Sequence, residues 1–523
     1  MVSVPAPHAV PAPEPGLVAT LRADLAAGAF TVAHTEELLG PVAAAALHRE
    51  QTVPAARQLT GADDPVVPLL RLFLLGGDVR RSDLDRALPR TGTDGAQALG
   101  LVRAAGAGAQ DAVRAVVDLR PYGAPDGPDW WLASDLGEAV TGAALRADHV
   151  LGVGGASTTL AQVTLRTPRR RTLDLGTGCG VQALYASRHS DAVVATDISA
   201  RALAFARFNA ALADVPLDLR QGSMLEPVAD LPGGFDLVVS NPPFVITPRG
   251  PGDGSGPAGA LPRYEYRDGG ARGDDLVRDL VEQVGGALSP GGVAQLLGNW
   301  EHRRGQNWTE RVGEWVDASG LDAWIVQREV LDPAQYAETW LRDGGTTADR
   351  DPDRWRAGYA AWLDDFATRD VEAVGFGMVL LRRPVDGRPT LRRLEDRAGP
   401  VRQPLGAHLE AALAAHDWLH TADDDALAAA HLVVAPDVTE ERHLTPGAEH
   451  PTLVLLRQGD GFGRVVQAGT ALAGLVGACD GDLTLGQILG GLAALLDVPV
   501  DRLRAEVVPA VRDLVRDGFL HLA

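Results

Sequence analysis

Apolar and polar positions along the chain follow three rhythms. From residue 17 to 120 apolar residues recur at helical spacing in an Ala/Leu-rich background, as in "PVVPLLRLFLLGGDVRRSDLDRAL". That stretch predicts a helix closed by Gly76 and Gly77, a short turn, and a second helix begun by Ser82, the order of a helix-turn-helix or winged-helix module. From 149 to 383 short apolar runs ("TLDLG", "AVVATD", "FDLVVS", "VAQLLGNW") alternate with helical stretches ("GVQALYASR", "SARALAFARFNAAL", "GDDLVRDLVEQVGGAL"). Such alternation predicts an α/β fold, a parallel sheet with helices on both faces. From 384 to 523 helical spacing returns, and "VVQAGTALAGLVGACDGDLTLGQILGGLAALL" with "AEVVPAVRDLVRDGFLHLA" reads helix-turn-helix-helix-strand.

The predicted architecture is therefore a central doubly wound, Rossmann-like sheet flanked by mainly helical N-terminal and C-terminal modules of winged-helix pattern. A chain of 523 residues exceeds one ordinary core, which agrees with several domains. Residues 1–16, "MVSVPAPHAVPAPEPG", read as a mobile Pro/Ala leader without the basic and apolar regions of a signal peptide. Residues 121–148 read as a linker and cover segment. Just before the first strand, "HVLGVGGASTTL" (149–160) offers Thr158 or Thr159 as a helix cap. The stretch "PRGPGDGSGPAGALP" (248–262) is a flexible insertion directly behind the "FDLVVS" strand, where lids occur.

Composition narrows the class. The net charge is −21 and all 48 basic residues are arginine. Residues 1–150 hold 12 Arg against 18 Asp/Glu, and residues 384–523 hold 12 against 20. No region has the basic balance of a strong phosphate binder, although a local arginine patch would still steer RNA. Two cysteines, Cys179 and Cys479, exclude a disulfide scaffold and a cysteine-rich zinc site. Cys179 reads as a small packed residue, and His149 and His302 as core or surface residues, so no metal is expected. Without an uncharged apolar run of spanning length, a cytoplasmic chain with no membrane partner is the expectation. No feature selects an oligomeric state.

The chemistry lies at the ends of the central strands. In "LDLGTGCGVQAL" (173–184) Asp174 ends a strand, Gly176, Gly178 and Gly180 follow, and then a helix begins. Glycines let the backbone turn sharply against a ligand, and the helix N-terminus offers free N–H groups. The spacing is D-x-G-x-G-x-G; the dinucleotide fingerprint counted from Gly176 needs glycine at 181, which is Val, so NAD is disfavoured. The second strand ends in Asp197, a carboxylate placed to accept ribose hydroxyls. "LDLRQGSMLEP" sets Ser223 and Met224 at the third strand's edge, where an adenine would lie. The fourth strand runs into Asn241-Pro242-Pro243-Phe244.

With these signals in this order, residues 149–383 resemble a class I S-adenosylmethionine-dependent methyltransferase. Within that superfamily the chain is most similar to the Asn-Pro-Pro-aromatic branch, which includes the release-factor glutamine methyltransferases and the amino-methyltransferases of RNA and DNA bases. The resemblance implies that Asp174, Gly176, Gly178 and Gly180 hold the methionine end of the cofactor and Asp197 its ribose. Relatives carry Asp at position 223; Ser223 departs from that pattern, which passes the adenine contact toward the backbone near Met224. "YEYRDGGARGDDLVRDLVEQ" is similar to the segment after this motif in the glutamine methyltransferases.

An amide or exocyclic amine is a poor nucleophile because its lone pair is delocalised, so a site must hold its N–H groups while nitrogen attacks in line. The Asn241 side-chain oxygen and the Pro242 carbonyl are two such acceptors, and proline's fixed φ keeps the carbonyl aimed. Phe244 offers a flat face, worth roughly 1–3 kcal/mol against a stacked base. Asn299, Trp300 and Trp308 either wall a substrate channel or bury against neighbouring helices. The leading reading is N-methylation of a glutamine-type side chain in a protein, such as a translation factor or ribosomal component. The alternative is an exocyclic base amine of rRNA or tRNA, which predicts an arginine face carrying Arg71, Arg80, Arg81 and Arg86. A third reading, a cofactor-binding regulator or scaffold, would need neither Asn241 nor Phe244.

Overall fold

Hydrogen-bonded pairing gathers the alternating strands of the middle region into one eight-stranded sheet. The computed structural model describes residues 10–49, 51–123, 129–142, 145–249 and 264–523. Most of the expected leader, and all but two residues of the 248–262 insertion, lie outside the described residues. The strands are β1 (Arg169–Leu175), β2 (Ser190–Asp197), β3 (Asp218–Gln221), β4 (Phe235–Ser240), β5 (Leu288–Arg303), β6 (Asp322–Leu331), β7 (Val371–Arg382) and β8 (Arg392–Asp396). Their order is β8-β6-β7-β5-β4-β1-β2-β3.

Strands β3, β2, β1, β4 and β5 run parallel, and β7 runs antiparallel between β5 and β6. The chain steps outward from β1 to β3 and then returns to place β4 on the other side of β1. Such a reversal opens a crevice at the strands' carboxyl ends. Leu175 pairs with Thr196 on one side and Ser240 on the other, so the segments that follow β1, β2 and β4 emerge side by side.

Helices α1 (Val181–Ala186) and α2 (Ala200–Ala213) follow β1 and β2. Helices α3 (Asp275–Gln283) and α4 (Trp308–Ser319) flank β5 in sequence, and α5 (Pro333–Asp343) and α6 (Pro352–Ala367) lie between β6 and β7. The apolar stripes of α3 and α4 put Val277, Leu280, Val312 and Trp315 into one core with Phe235, Leu296 and Trp300. Trp300 stacks on Trp308 with ring centres 5.5 Å apart and donates its indole N–H to Gln327 at 2.8 Å. Both tryptophans are buried, which settles the two readings of these residues in favour of packing. Thr158 and Thr159 sit inside the helix Gly155–Val163, with the Thr158 hydroxyl on the Gly154 carbonyl, and so do not cap it.

Two compact units divide the chain differently from the expected borders. One comprises 1–160, 168–389 and 393–395; the other comprises 161–167, 390–392 and 396–523. One apolar core crosses residue 120. Leu21, Leu25, Phe30, Leu72 and Phe73 join Trp130 and Trp131 and, on α2, Phe205, Phe208 and Leu212. The leader ends earlier than expected: Pro11 is buried, Ala12 N–H donates to Leu99 O, and a helix starts at Pro15. The border expected at 384 moves to about 396, because β8 completes the sheet.

Within the first unit, residues 67–115 run helix (to Leu74), strand (Val79–Arg80), helix (Arg81–Ala87), helix (Gly92–Ala98) and strands (Val102–Ala104, Ala112–Ala115). The second helix starts at Arg81, one residue before Ser82. Gly76 closes the first segment at φ 65°, and a Cβ there would lie 2.1 Å from Val140. Three of the four arginines named for an RNA-reading face have aspartate partners. Arg80 and Arg86 both pair with Asp83, Arg81 pairs with Asp94, and Arg71 donates to the Leu59 carbonyl.

In the second unit the elements from 470 run helix (Thr470–Gly477), strand (Asp480–Thr484), helix (Leu485–Leu496), helix (Val500–Arg516) and strand (Leu520–Leu522). They enclose a core of Leu475, Leu489, Val511 and Phe519. Among the described residues no single helix is long and apolar enough to cross a membrane.

Candidate active site

The loop after β1 is held from several directions. Gly176, Gly178 and Gly180 have φ values of 74°, 55° and 93°, conformations that L side chains rarely adopt. The N–H groups of Gly176 and Thr177 both donate to Thr196 O at 2.9 Å, and Gly180 N–H donates to Thr177 O at 2.9 Å. Among the described residues a Cβ at Gly176 or Gly178 would meet nothing within 4 Å, whereas one at Gly180 would lie 3.2 Å from Ala206 of α2. The first two glycines thus face open space, and the third allows α2 to pack close.

Asp174 lies beneath this loop and is buried. Its Oδ2 accepts from the Thr177 hydroxyl at 2.5 Å and from Ala183 N–H at 2.9 Å. Burial outweighs these two bonds and raises its pKa to about 7. Asp174 therefore shapes the loop and the start of α1 from below. Asp197, at the end of β2, accepts from Gly178 N–H and Ser199 N–H, each at 2.9 Å. Its pKa is raised by burial, and the nearby Glu265 carboxylate adds to the effect. Past β3, Ser223 is exposed and Met224 takes φ 47°, its side chain partly buried against the core of Phe235 and Leu296.

At the end of β4 the Ser240 hydroxyl donates to Leu175 O at 2.7 Å, joining the two strand ends. Among the described residues the buried Asn241 Oδ1 atom has no hydrogen-bond partner. Leaving such an acceptor unpaired costs about 1–3 kcal/mol, and orphaned groups of this kind accompany function. The Pro242 carbonyl accepts Phe244 N–H at 2.8 Å, a tight turn that uses one lone pair and fixes the direction of the other. Phe244 is partly exposed; its ring meets Phe376 edge-on at 6.4 Å, and its backbone bridges to Asp268. Val245 N–H donates to Arg267 O at 3.0 Å, so the "YEYRDGG" segment lies alongside the motif.

Several residues of this region have no obvious mark in the sequence. Tyr336 of α5 accepts Ile246 N–H at 2.9 Å and the Asn299 amide at 3.0 Å, while Trp362 of α6 donates to Ile246 O at 2.8 Å. Neither aromatic lies in a motif. Asn209 on α2 carried a usable signal: it is a polar residue in the apolar row of "ALAFARFNAAL" and is fully buried. Cys179 is buried, which pushes its thiol up to about 11, and His149 is buried with its pKa lowered. Among the described residues no group of three or more His, Cys, Asp or Glu is arranged to hold a metal.

Comparison with known proteins agrees with this arrangement. Residues 152–249 match the methyltransferase small domain family, and residues 27–116 and 410–522 match two domains of unknown function (DUF7059 and DUF7782). The chain is 38% identical over 138 residues to the release factor glutamine methyltransferase of Deinococcus radiodurans, covering 25% of this chain and 46% of that one. It is 36% identical over 137 residues to the ribosomal protein uL3 glutamine methyltransferase of Bordetella pertussis, covering 24% and 42%. The chain spans about half the length of the curated relatives it matches. Among solved structures, the YcgJ protein of Bacillus subtilis aligns with 16% identity and a TM-score of 0.26, over 44% of this chain and 97% of that one. The central region thus has a Rossmann-like sheet, matches the methyltransferase small domain over residues 152–249, and is similar in sequence to release-factor glutamine methyltransferases.

Proposed function

We propose that the chain is an S-adenosylmethionine-dependent N-methyltransferase that modifies a glutamine-type carboxamide of a protein. The observation that carries this reading is the buried Oδ1 of Asn241 at the end of β4, which has no partner among the described residues. The residues present fit the cofactor. Gly176 and Gly178 turn open faces to a ligand, and Asp197, already fixed by two backbone N–H groups, keeps further lone pairs for hydroxyls. Asp174 acts through the loop it shapes, and the backbone about Met224, with Ser223, lies at the third strand's end for the adenine.

When bound, S-adenosylmethionine supplies an electrophilic methyl group. The chain's own residues hold the acceptor. Asn241 Oδ1 accepts one N–H of the carboxamide, and the remaining lone pair of the Pro242 carbonyl accepts the other. With both protons so held, the nitrogen lone pair is oriented for in-line attack. Phe244, braced edge-on by Phe376, lies flat against the planar amide. Asn241 is neutral, so the motif positions the amide, and the proton leaves after nitrogen has become cationic.

A protein acceptor is favoured over RNA because Arg80, Arg81 and Arg86 are already paired with aspartates of their own module. The two relatives named above are a release factor and a ribosomal protein glutamine methyltransferase, which supports a translation protein as the acceptor and the cytoplasm as the location. The test is methyl transfer from radiolabelled cofactor into a lysate separated into protein, RNA and small molecules, with Asn241→Ala as control. Label in protein that is lost with the variant supports the reading. Label in RNA replaces it with base methylation, and cofactor binding without any transfer replaces it with a regulator.

A further inference from the structure

Asn209 connects two parts of the chain that sequence places far apart. Its carboxamide is fully buried and makes three hydrogen bonds. Oδ1 accepts from Ala133 N–H at 2.7 Å, and Nδ2 donates to Ala133 O at 2.9 Å and to Cys179 O at 2.8 Å. Ala133 belongs to a two-stranded ribbon, Asp118–Gly123 with Asp129–Ser134, and pairs there with Leu119. Asn209 satisfies both backbone groups of Ala133 as a further strand would. The same amide then grips the carbonyl at the centre of the Gly178-Cys179-Gly180 turn.

Other bonds make the connection rigid. One turn before Asn209 on α2, Ala206 lies against Gly180. Just past the ribbon, Asp135 accepts Val150 N–H at 2.9 Å and binds Arg201, near the start of α2. At the ribbon's far side the Trp131 indole donates to Phe30 O at 2.6 Å, which reaches the N-terminal module.

We infer that Asn209 is a positioning residue of the cofactor site. By holding the Cys179 carbonyl it sets the peptide planes between Gly178 and Gly180. It thereby makes the ribbon, and the module bonded to it, part of the scaffold that keeps the glycine loop ready for its ligand. The inference rests on the reading of this loop as the S-adenosylmethionine site. Preorganised backbone binds a ligand more tightly because less ordering remains to be done on binding.

The test uses the full chain and S-adenosylhomocysteine, titrated by calorimetry. Asn209→Ala is expected to weaken binding by about tenfold or more. Phe208→Leu, a core change on the neighbouring position of α2, serves as a variant of similar thermal destabilisation and is expected to bind as the unaltered chain does. In the unaltered chain, the ligand is expected to slow amide hydrogen exchange in residues 129–134 as well as in the loop. Three results overturn the inference: Asn209→Ala binding within about twofold of the unaltered chain, equal weakening by Phe208→Leu, or ligand protection that stops at the loop. The last needs no variant and holds if Asn209→Ala fails to fold. An unaltered chain that binds no S-adenosylhomocysteine overturns the cofactor reading itself, and this inference with it.

Discussion

The Tyr336 hydroxyl accepts the backbone N–H of Ile246 at 2.9 Å, five residues beyond Asn241. The Ile246 carbonyl is bound by Trp362 at 2.8 Å, so helices α5 and α6 hold both backbone polar groups of one residue just past the Asn-Pro-Pro-Phe turn. Both aromatics are fully buried with Ile246 in a satellite core. Tyr336→Phe leaves the Ile246 N–H and the Asn299 amide without their acceptor. The expected loss is about 1–3 kcal/mol of stability, read from the denaturant midpoint. Methyl transfer should fall through a raised KM for the acceptor, with S-adenosylhomocysteine binding unchanged. A variant as stable and as active as the parent would remove this clamp from the account.

Asn241→Ala separates activity from stability. The orphaned Oδ1 is a burden in the chain without its acceptor, so its removal should leave the melting temperature equal or higher. Methyl transfer should drop by about 10²–10³-fold, the scale of losing one preorganised hydrogen-bonding group. Thermal melts and single-turnover transfer measured on the same preparation decide the point.

The three glycines of the loop should respond differently. Gly180→Ala meets φ 93° and Ala206 at 3.2 Å together, and is expected to lose about 2 kcal/mol or more of stability. Gly176→Ala meets only the φ penalty, about 1 kcal/mol, since its Cβ enters open space. That space is where the cofactor would lie, so Gly176→Ala should lose S-adenosylhomocysteine affinity while remaining folded. Calorimetric titration beside chemical denaturation distinguishes the two.

Asp174 should also give the stability a pH signature. Burial raises its folded pKa to about 7 from 3.8. Between those values the folded chain holds a proton that the unfolded chain has released. This contribution is therefore present at low pH and lost as pH rises through about 7. Asp174→Asn can still accept the bonds from Thr177 and Ala183 and carries no charge. It should flatten that part of the stability profile between about pH 4 and 7 and gain stability at the upper end, measured as denaturant midpoints against pH. A parallel fall in both chains would mean that Asp174 is ionised in the fold.

What could be read from residues alone follows the range of the interactions. The alternation of "TLDLG", "AVVATD" and "FDLVVS" with amphipathic stretches is local, and it predicted the doubly wound sheet. Asp174, Asp197 and Asn241 were legible as strand ends because glycine and proline punctuate the chain there. Tyr336 and Trp362 were not, because nothing local distinguishes an aromatic that binds a distant backbone from one that fills a core. Trp300 and Trp308 illustrate the same difficulty, since a polar-flanked tryptophan pair reads equally as channel wall or packing. The core that crosses residue 120 was not legible, because a change in texture marks where secondary structure changes, whereas a shared core depends on whether apolar faces find partners across that point. Phe205 and Phe208 find theirs upstream.

That shared core carries a consequence for descent. A methyltransferase domain closed on its own surface can be fused to any neighbour by recombination and keep folding. Here α2 has entrusted its apolar face to residues that precede the domain, from Leu21 to Trp131. A substitution on one side of that core is expected to be answered by compensation on the other. The N-terminal region and α2 are thus two sides of one core and not neighbours laid side by side.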